Sequence, residues 1–544
     1  MYIGDKNRID LSSSGFSDFI ENNNLYVDKT AFIEHVLQDT SSVLLFTRPR
    51  RMGKSLNMNT LATFLDCNQK TAHLFSGLYI ESSPEFGQIN KYPVIYLSFK
   101  DLDPGSYKWR FKMNLMEIAE RYLEKGQYIK KLLDYFSDKE NHDTGALSDL
   151  TKNLCSVYGV KPYIIIDEYD KFLMDNMDNA EYGSLKKWVT GVFGAALKDN
   201  HSLGKAILTG VTRIAKENMF SGLNNLEVYD VLKPSVYDSD FSLTEAELLE
   251  LIPEGEIAGV RKWYNNMRVG KILLYNIYSV MNYLRNPELG LNGYWSMTGN
   301  ASLLASLLND SRSKIIARLL EGEQHRHATA LDSQLNMEHL KNISHCTDIS
   351  FYTLSVQAGY MSFEPAGFGI YDVFIPNMEA RRVWARLFLD AQYNDPISKI
   401  FNIFSGISDT ERFSEQLTDF ASMALSYHDV VKNEAERLYH VLFFGLLYGA
   451  GYDCESNREA GLGRMDILLK TPNYNAILEF KVSESETDEA LQKEAERAIR
   501  QIDQKEYWHE PRNSQLPLYK IGIACHGKKC LAKAVLHDGK KTSI

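Results

Sequence analysis

The chain has 544 residues, which is too long for one ordinary hydrophobic core, so roughly two to four domains are expected. Its 44% hydrophobic and 24% charged residues are typical of a folded protein and exclude a disordered chain. The formal charge of −11 excludes a protein that coats nucleic acid over its whole surface, although a local basic groove is compatible with it.

Cysteine usage and apolar patterning indicate the compartment. The six cysteines are scattered through the chain, as expected for reduced thiols in a cytoplasmic protein. The N-terminus lacks the basic and then apolar layout of a secretion signal. The longest strongly apolar stretch, residues 441–452, is too short to span a bilayer. We therefore expect a cytoplasmic protein with no membrane partner.

Residues 44–58, LLFTRPRRMGKSLNM, nearly match a phosphate-binding loop. An apolar run predicts a buried strand over 42–46, and helical spacing follows Gly53-Lys54-Ser55. The usual pattern, G-x-x-x-x-G-K-[ST], has a glycine where this chain has Arg48. That glycine mainly permits a turn, which Pro49 could make differently because its ring fixes φ. The missing glycine weakens the match without removing it.

The residue types of this loop suit a nucleotide with its metal ion. Backbone N–H groups and the start of the following helix would face the phosphates. The lysine would reach the outer phosphates, and the serine hydroxyl would bind Mg²⁺. The candidate ligands are Arg51, Met52, Gly53, Lys54 and Ser55.

A second element of a nucleotide site lies at residues 161–172, KPYIIIDEYDKF. An apolar run directly precedes Asp167-Glu168, which predicts a buried strand ending in two acids. Asp167 would hold Mg²⁺, and Glu168 would polarise the attacking water. The alternative is a core strand that runs into an acidic loop.

Two further apolar runs, residues 92–99 and 205–212, predict that the strands form a parallel sheet. Thr209 and Thr212 lie at the end of the second run, where a polar side chain could sense the γ-phosphate. Arg213 follows them and is interpreted either as an arginine contact to the nucleotide or as a solvated loop residue.

Four segments together resemble the AAA-ATPase-like domain of a large bacterial family: LYVDKTAFIEHVL (25–37), TRPRRMGKSLNM, IIIDEYDKF and LTGVTRIAKENMFSGLNNL (208–226). The resemblance covers about residues 5–285. An R-P-R-R-x-G-K-S loop is usual in that family, so the resemblance implies a working ATP site despite Arg48. Asn265, Asn266, Met267 and Ile277 depart from the family pattern, which puts a lid or substrate contact in doubt.

The middle region, about residues 238–430, reads as mainly helical. The segment 241–252, FSLTEAELLELI, predicts a helix capped by Ser242 with Glu245. A helix, a short hairpin and a second helix are predicted from about 351 to 388, which resembles the winged-helix-like segment of the same family. Such a segment could contact DNA or pack between domains.

Residues 461–485 carry a second chemical pattern. Asp466 precedes an apolar run, a turn follows, and AILEFKV completes a predicted hairpin in which Glu479 and Lys481 share a face. This suits metal-dependent phosphodiester cleavage, with Asp466 and Glu479 binding Mg²⁺ or Mn²⁺ and Lys481 positioning or deprotonating water. The alternative is an exposed edge strand with a Glu–Lys pair.

The predicted element order from residue 434 onward, α-β-β-β-α-β, and the D…E-x-K spacing resemble the PD-(D/E)XK nuclease superfamily. The resemblance implies two more site residues, Glu436 as the acid of the first helix and Gln501 as the glutamine of the later helix. All five positions hold competent residues, so the resemblance implies an active nuclease.

The sequence therefore predicts a multidomain α/β protein: an AAA-like P-loop domain at 1–237, a helical and winged-helix-like region at 238–430, and a restriction-endonuclease-like domain at 431–544. The first hypothesis is an ATP-hydrolysing protein coupled to a metal-dependent nuclease that acts on DNA rather than RNA, in defence or mobile-element biology, as a monomer or a homo-oligomer. The second is a nucleotide-switched scaffold that binds nucleic acid or protein without cutting. A third is a regulatory ATPase that hydrolyses very slowly.

Overall fold

The computed structural model describes residues 2–123, 142–214, 223–269, 272–295, 301–320, 325–341, 343–390, 396–425, 435–460, 463–509, 516–527 and 529–537. The chain forms two compact units. The first unit contains Met1–Gly299 and Ala328–Glu379, and the second contains Asn300–His327 and Ala380–Ile544. The three-part division given above stays a prediction.

A five-stranded parallel sheet forms the centre of the first unit, as predicted, with strand order β4-β5-β6-β3-β7. Its central strands are buried along their whole length, as in sheets that helices cover on both faces. The first seven strands in chain order are β1 Tyr2–Ile3, β2 Tyr26–Val27, β3 Val43–Thr47, β4 Val94–Ser98, β5 Tyr163–Asp167, β6 Lys205–Gly210 and β7 Leu226–Tyr229. The helices are α1 Phe16–Glu21, α2 Ala31–Gln38, α3 Lys54–Leu65, α4 Tyr107–Tyr122, α5 Ala146–Tyr158, α6 Lys171–Met174 and α7 Tyr182–Leu197.

The parallel arrangement brings the candidate nucleotide residues to one edge of the sheet. Strands β3, β5 and β6 all end at this edge, so the loop after β3, the acids after β5 and the segment after β6 meet there. Gly53 takes a left-handed conformation, with φ of 80°, and starts α3 at Lys54. The edge therefore combines a helix N-terminus with three strand ends.

The middle of the chain contains the predicted helix, hairpin and helix as α14, β12–β13 and α15. The predicted cap of the earlier helix is wrong, because Thr244 caps α8 through a reciprocal capping box with Glu247. Ser242 instead donates its hydroxyl to the main-chain oxygen of Tyr275. The elements are β8 Leu243–Thr244, α8 Glu245–Leu251, α9 Ile257–Tyr264, β9 Asn265–Val269, β10 Ile272–Tyr275, α10 Ile277–Arg285, α11 Ser302–Ser306, α12 Asp310–Leu320, β11 His327–Ala330, α13 Met337–Leu340, α14 Asp348–Gln357, β12 Ser362–Gly367, β13 Ile370–Phe374 and α15 Met378–Asp390.

The second unit contains a five-stranded mixed sheet in the order β14-β15-β16-β17-β18. Strands β16 and β17 are parallel, and α19 connects them, while the other pairs are antiparallel. This confirms the predicted order α-β-β-β-α-β, with β18 added at the edge. The elements are α16 Pro396–Ser405, α17 Thr410–Leu425, α18 Ala435–Gly449, β14 Asp453–Ala460, β15 Gly463–Lys470, β16 Asn475–Val482, α19 Asp488–Gln504, β17 Leu518–His526 and β18 Lys529–Leu536.

The expectation that all six cysteines are thiols is wrong for one pair. Cys525 and Cys530 lie directly opposite each other across the β17–β18 hairpin and form a disulfide. Cys67, Cys155, Cys346 and Cys454 are thiols. In the described ranges, every helix is too short or too polar to span a bilayer.

Candidate functional sites

Arg48, which replaces the first glycine of the loop pattern, lies inside the protein core. Its side chain is fully buried, and its guanidinium donates to the main-chain oxygens of Thr47 and Tyr229 at 3.0 and 2.8 Å. It packs over the Phe241 ring and lies 3.8 Å from an Asp238 carboxylate oxygen. Burial lowers the pKa of Arg48, and nearby acids, Asp238 foremost, oppose that shift. Arg48 thus fastens the start of the loop to the core.

The turn that the glycine would make lies farther along the loop. Arg51 and Gly53 have φ of 63° and 80°, so the chain turns through two left-handed residues. Between them, Met52 is fully buried, and its main-chain oxygen accepts from Ser242 N at 3.1 Å. The Arg51 guanidinium lies 4.5 Å from the centre of the Tyr278 ring. The loop is therefore held from both sides while its backbone stays at the sheet edge.

Lys54 is enclosed by the loop that it follows. Its ammonium donates to the main-chain oxygens of Arg48 and Pro49 at 3.0 and 2.7 Å. Burial lowers the pKa of Lys54 to about 8, and the negative charges of Asp167 and Asp170 partly oppose the shift. A phosphate group would favour the charged form of this lysine, so the site gains electrostatic stabilisation when an anion binds.

The Asp167 carboxylate connects three elements of the sheet edge. Its Oδ2 atom accepts from Ser55 Oγ at 2.5 Å, and its Oδ1 atom accepts from Thr209 Oγ1 at 2.6 Å. Ser55 lies in the first turn of α3, Asp167 ends β5, and Thr209 lies on β6. The predicted metal ligands Ser55 and Asp167 are thus in direct contact, and Thr209 is beside them.

Glu168 has two features of a functional side chain. Its backbone is left-handed, with φ of 52°, and its Oε2 atom is buried without a hydrogen-bond partner. Burial and then the charge of Asp167 raise the pKa of its carboxyl. A buried acceptor atom without a donor costs roughly 1–3 kcal/mol. Such a cost is expected where a water molecule or ligand completes the site.

The segment after β6 is held by Asp170, which accepts from the main-chain nitrogen and the hydroxyl of Thr212, both at 2.7 Å. The Arg213 guanidinium forms an ion pair with the buried Asp230 at 3.2 Å, and Arg213 N donates to Gln357. Its side chain is 16% exposed, which differs from a solvated loop arginine. The nucleotide contact of Arg213 stays a prediction.

The two strand acids of the second unit lie side by side. Ile467 pairs with Leu478, so the next residues, Asp466 on β15 and Glu479 on β16, are neighbours. The main-chain nitrogen of Phe480 donates to Asp466 Oδ2 at 2.8 Å, which fixes that carboxylate against β16. Lys481 Nζ lies 3.1 Å from Glu479 Oε1 and also donates to the Phe480 oxygen. The predicted shared face of Glu479 and Lys481 is observed.

Glu479 is the most constrained group of this cluster. It is 1% exposed, and its Oε1 atom accepts from both Lys481 and Gln501, whereas Oε2 is buried without a hydrogen-bond partner. Burial, followed by the negative charge of Asp466, raises the pKa of Glu479 to about 8. A divalent cation would oppose that shift, since its charge stabilises both carboxylates and it supplies a partner for Oε2.

The donor set fits an oxygen-seeking metal ion but is small. Among the described residues, no group of three or more His, Cys, Asp or Glu side chains is placed to hold a metal. Asp466 and Glu479 provide two carboxylates, and Mg²⁺ commonly takes one or two from protein. Glu436 belongs to α18, and its side chain lies outside the described residues.

Comparison with known proteins agrees with both clusters. Residues 11–220 match the family model described as "Predicted AAA-ATPase", and residues 434–535 match the model of the PD-(D/E)XK nuclease superfamily. The chain combines an AAA-ATPase-like domain with a PD-(D/E)XK nuclease superfamily domain. It is also 24% identical over 524 residues, 92% of each chain, to an uncharacterized protein in the vnfD 5′ region of Azotobacter chroococcum mcd 1.

Two residues with clear positions in these domains were missed by sequence reasoning. Asp170 anchors the segment after β6 in the AAA-ATPase-like domain. His440 in the nuclease domain is nearly buried, and its Nε2 atom donates to the main-chain oxygen of Asp466 at 2.9 Å. The signal for His440 was available, because it follows Glu436 by four residues and therefore shares its helix face.

Replacing Arg48 tests its place in the core. We expect Arg48→Gly, which restores the common loop pattern, to lower the free energy of unfolding by about 3 kcal/mol, because the buried Asp238 loses its nearby cation and two main-chain oxygens lose their donor. Arg51→Gly is the matched control, and its left-handed backbone predicts a change within about 1 kcal/mol. Denaturant unfolding of the full chain measures both. Equal stability of Arg48→Gly and wild type would contradict the core role.

Replacing Glu479 tests its raised pKa. Between pH 4.5 and about 8 the unfolded chain releases a proton that the folded protein retains, so this group lowers the free energy of unfolding as pH rises. In EDTA at pH 8, Glu479→Gln should raise the melting temperature by roughly 2–4 °C and flatten its pH dependence.

Glu486→Gln, at an exposed position in the same domain, is the control and should match wild type. Thermal unfolding from pH 5 to 8.5 measures all three proteins. A Glu479→Gln variant that is less stable than wild type at pH 8 would show that the charged Glu479 carboxylate stabilises the fold without a metal ion.

Proposed function

We propose that the chain is an ATP-hydrolysing protein whose AAA-ATPase-like domain governs a Mg²⁺- or Mn²⁺-dependent nuclease. The observation that carries this proposal is Glu479, a buried acid beside Asp466, Lys481 and Gln501 with one oxygen left without a donor. A structural ion pair would satisfy both oxygens. The open oxygen supports a site that binds a cation.

In the nuclease domain each residue has a separate task. Asp466 and Glu479 would hold the metal ion, which supplies a water molecule of lowered pKa and neutralises charge on the scissile phosphate. Gln501 and Lys481 orient Glu479 through its Oε1 atom. The Lys481 side chain is 14% exposed, and we propose that its ammonium also faces a phosphodiester and stabilises negative charge there.

In the AAA-ATPase-like domain, Ser55 and Asp167 would hold Mg²⁺ with ATP, and Lys54 would neutralise the outer phosphates. Thr209 donates a hydrogen bond to the Asp167 carboxylate, so its hydroxyl lies beside the proposed Mg²⁺ site. Glu168, with its raised pKa and open Oε2 atom, is placed to accept a proton from water. Arg51, Met52 and Gly53 would contribute the loop backbone, and Arg213 would contact the nucleotide after leaving Asp230.

We propose DNA, in preference to RNA, as the substrate. A role in defence or mobile-element biology rests on the pairing of the two domains. The chain is proposed to act in the cytoplasm.

A cleavage assay tests the function. Supercoiled, linear and single-stranded DNA, and RNA, are incubated with Mg²⁺ or Mn²⁺, with and without ATP. Wild type should cut DNA, Lys481→Ala should lose at least about 100-fold of the rate, and Lys54→Ala should abolish the effect of ATP. Lys493→Ala and Lys70→Ala, both at exposed positions, are the matched controls.

Cleavage that Lys481→Ala leaves unchanged would assign the activity elsewhere or to a contaminant. ATP binding without any cleavage would favour the nucleotide-switched scaffold. Preferential cleavage of RNA would correct the substrate.

Replacing Glu168 separates nucleotide binding from hydrolysis. Glu168→Gln removes the base but keeps the side-chain shape, so ATP binding should persist while the hydrolysis rate falls by about 100-fold or more. Single-turnover hydrolysis and fluorescent-nucleotide titration measure the two properties. If both fell together, Glu168 would support the fold of the site instead of the chemistry.

A further inference from the structure

The segment that follows β6 ties the candidate nucleotide site to a later part of the chain. Arg213 N donates to Oε1 of the Gln357 side chain at 3.1 Å, and Arg213 O accepts from Leu335 N at 2.8 Å. Ile214, the next residue, forms a parallel bridge with Leu335. Both main-chain groups of Arg213 are therefore bonded to residues far along the sequence.

Gln357 holds this junction together from within the core. It is the last residue of α14, it is 1% exposed, and its Nε2 atom donates to Ser333 O at 3.2 Å. One buried side chain thus connects the main chain of Arg213 with the main chain beside Leu335. Replacing its amide by an apolar group would break both hydrogen bonds where water cannot easily replace them.

The same segment is also held from the nucleotide side. Tyr169 directly follows the acidic pair at the end of β5 and is fully buried. Its hydroxyl donates to Thr212 O at 2.7 Å and accepts from Ile214 N at 3.2 Å. The main chain is therefore fixed on both sides of Arg213, so a displacement there must move the bonded residues or break these bonds.

The Arg213 guanidinium has two alternative partners under the proposed function. In the structure it pairs with the fully buried Asp230, whose other oxygen accepts from Leu232 N and Lys233 N. Contact with the nucleotide requires Arg213 to leave Asp230. The segment after β6 then has two arrangements, and bound ATP favours the one in which Arg213 is on the nucleotide.

Residues 328–379, which we call the connecting stretch, lead from this junction to the nuclease domain. The connecting stretch belongs to the first compact unit, but the chain continues into the second unit at both of its ends, at His327 and at Ala380. Leu335 and Gln357 both lie within it. Of the three points at which the chain passes between the units, two flank this stretch. A shift of the stretch would therefore reach the second unit through the chain itself.

We propose that Gln357 couples the nucleotide site to the nuclease by holding the connecting stretch on the segment after β6. When the Arg213 guanidinium exchanges Asp230 for the nucleotide, the main chain of Arg213 carries the connecting stretch with it, and the second unit receives the change through its covalent connections. Gln357 acts through Arg213 and is a positioning residue. This inference rests on the proposed ATP-governed nuclease and names the route by which ATP acts.

Cleavage with and without ATP tests the coupling. ATP should change the cleavage rate of wild type by about fivefold or more, and Gln357→Met should retain less than about a twofold change although it still binds ATP. Methionine keeps the length of the buried side chain but lacks the amide. The ATP-free rate of the variant should stay within about twofold of wild type, because Gln357 acts only through Arg213.

Thr353→Val is the matched control. Thr353 lies one turn earlier on α14, is 1% exposed, and its hydroxyl accepts from Asp332 N at 3.0 Å. Its replacement removes a hydrogen bond inside the connecting stretch without breaking either bond of Gln357. The effect of ATP on cleavage should therefore match wild type.

Asp230→Asn tests the other partner of Arg213. Asparagine keeps an oxygen for Leu232 N and Lys233 N but removes the charge that holds the guanidinium. Cleavage without ATP should therefore move toward the rate that wild type shows with ATP. Melting temperatures show whether the variants fold, and this variant decides the question if Gln357→Met does not fold.

Hydrogen exchange gives a readout that does not depend on cleavage. A non-hydrolysable ATP analogue should change amide exchange in peptides covering 209–214 and 330–336 of wild type. In Gln357→Met, the change at 209–214 should persist, and the change at 330–336 should fall by at least about threefold.

The outcomes separate this inference from the proposed function. The inference alone is overturned if Gln357→Met keeps the full effect of ATP on cleavage, or if wild type binds the analogue without a change at 330–336. A change at 330–336 that depends on Gln357, in a chain that cuts nothing, would support the coupling and contradict the nuclease. A wild type that binds no ATP would overturn both.

Discussion

The N-terminal site depends on one buried carboxylate, that of Asp167. A buried acid requires donors, and the parallel sheet supplies them because its strands end together: Ser55 from α3, Thr209 from β6, and the main-chain nitrogen of Glu168 at 3.0 Å. Each donor lies on a different segment of the loop edge. The same hydrogen bonds that satisfy Asp167 therefore fix the mutual positions of the phosphate loop, the acidic pair and the segment after β6.

The loop itself follows from the same constraint on buried charge. A glycine at position 48 would remove the cation beside the buried Asp238, whereas Arg48 places its guanidinium among main-chain oxygens behind the loop. The left-handed turn is then taken at Arg51 and Gly53. Sequence could predict that the loop exists, because its strand, its lysine and its helix are local signals. It could not predict the direction of the Arg48 side chain, which depends on β7 and residues 238–241.

The same difference between local sequence signals and tertiary contacts holds for the rest of the molecule. Buried strands were predictable because β3, β5 and β6 contain continuous apolar runs, and the hairpin of β15 and β16 was predictable from its turn. The capping box at Thr244 was misplaced by two residues, since Ser242 with Glu245 is an equally good local pattern. The Cys525–Cys530 pair and the Arg213–Asp230 ion pair also escaped prediction. Each is decided by which residues the tertiary fold places opposite one another.

The nuclease domain contains a second buried Lys–acid pair that separates structural charge from functional charge. Lys520 lies 3.0 Å from both Asp503 oxygens, so that carboxylate is fully used within the protein. Glu479, on β16, uses only its Oε1 atom, which accepts from both Lys481 and Gln501, whereas its Oε2 atom has no hydrogen-bond partner. Asp503 and Gln501 belong to the same helix, α19. The packing of this helix therefore gives partners to both oxygens of Asp503 but to only one oxygen of Glu479. Because an unsatisfied buried oxygen is destabilising, its retention beside Asp466 is better explained by a cation than by packing.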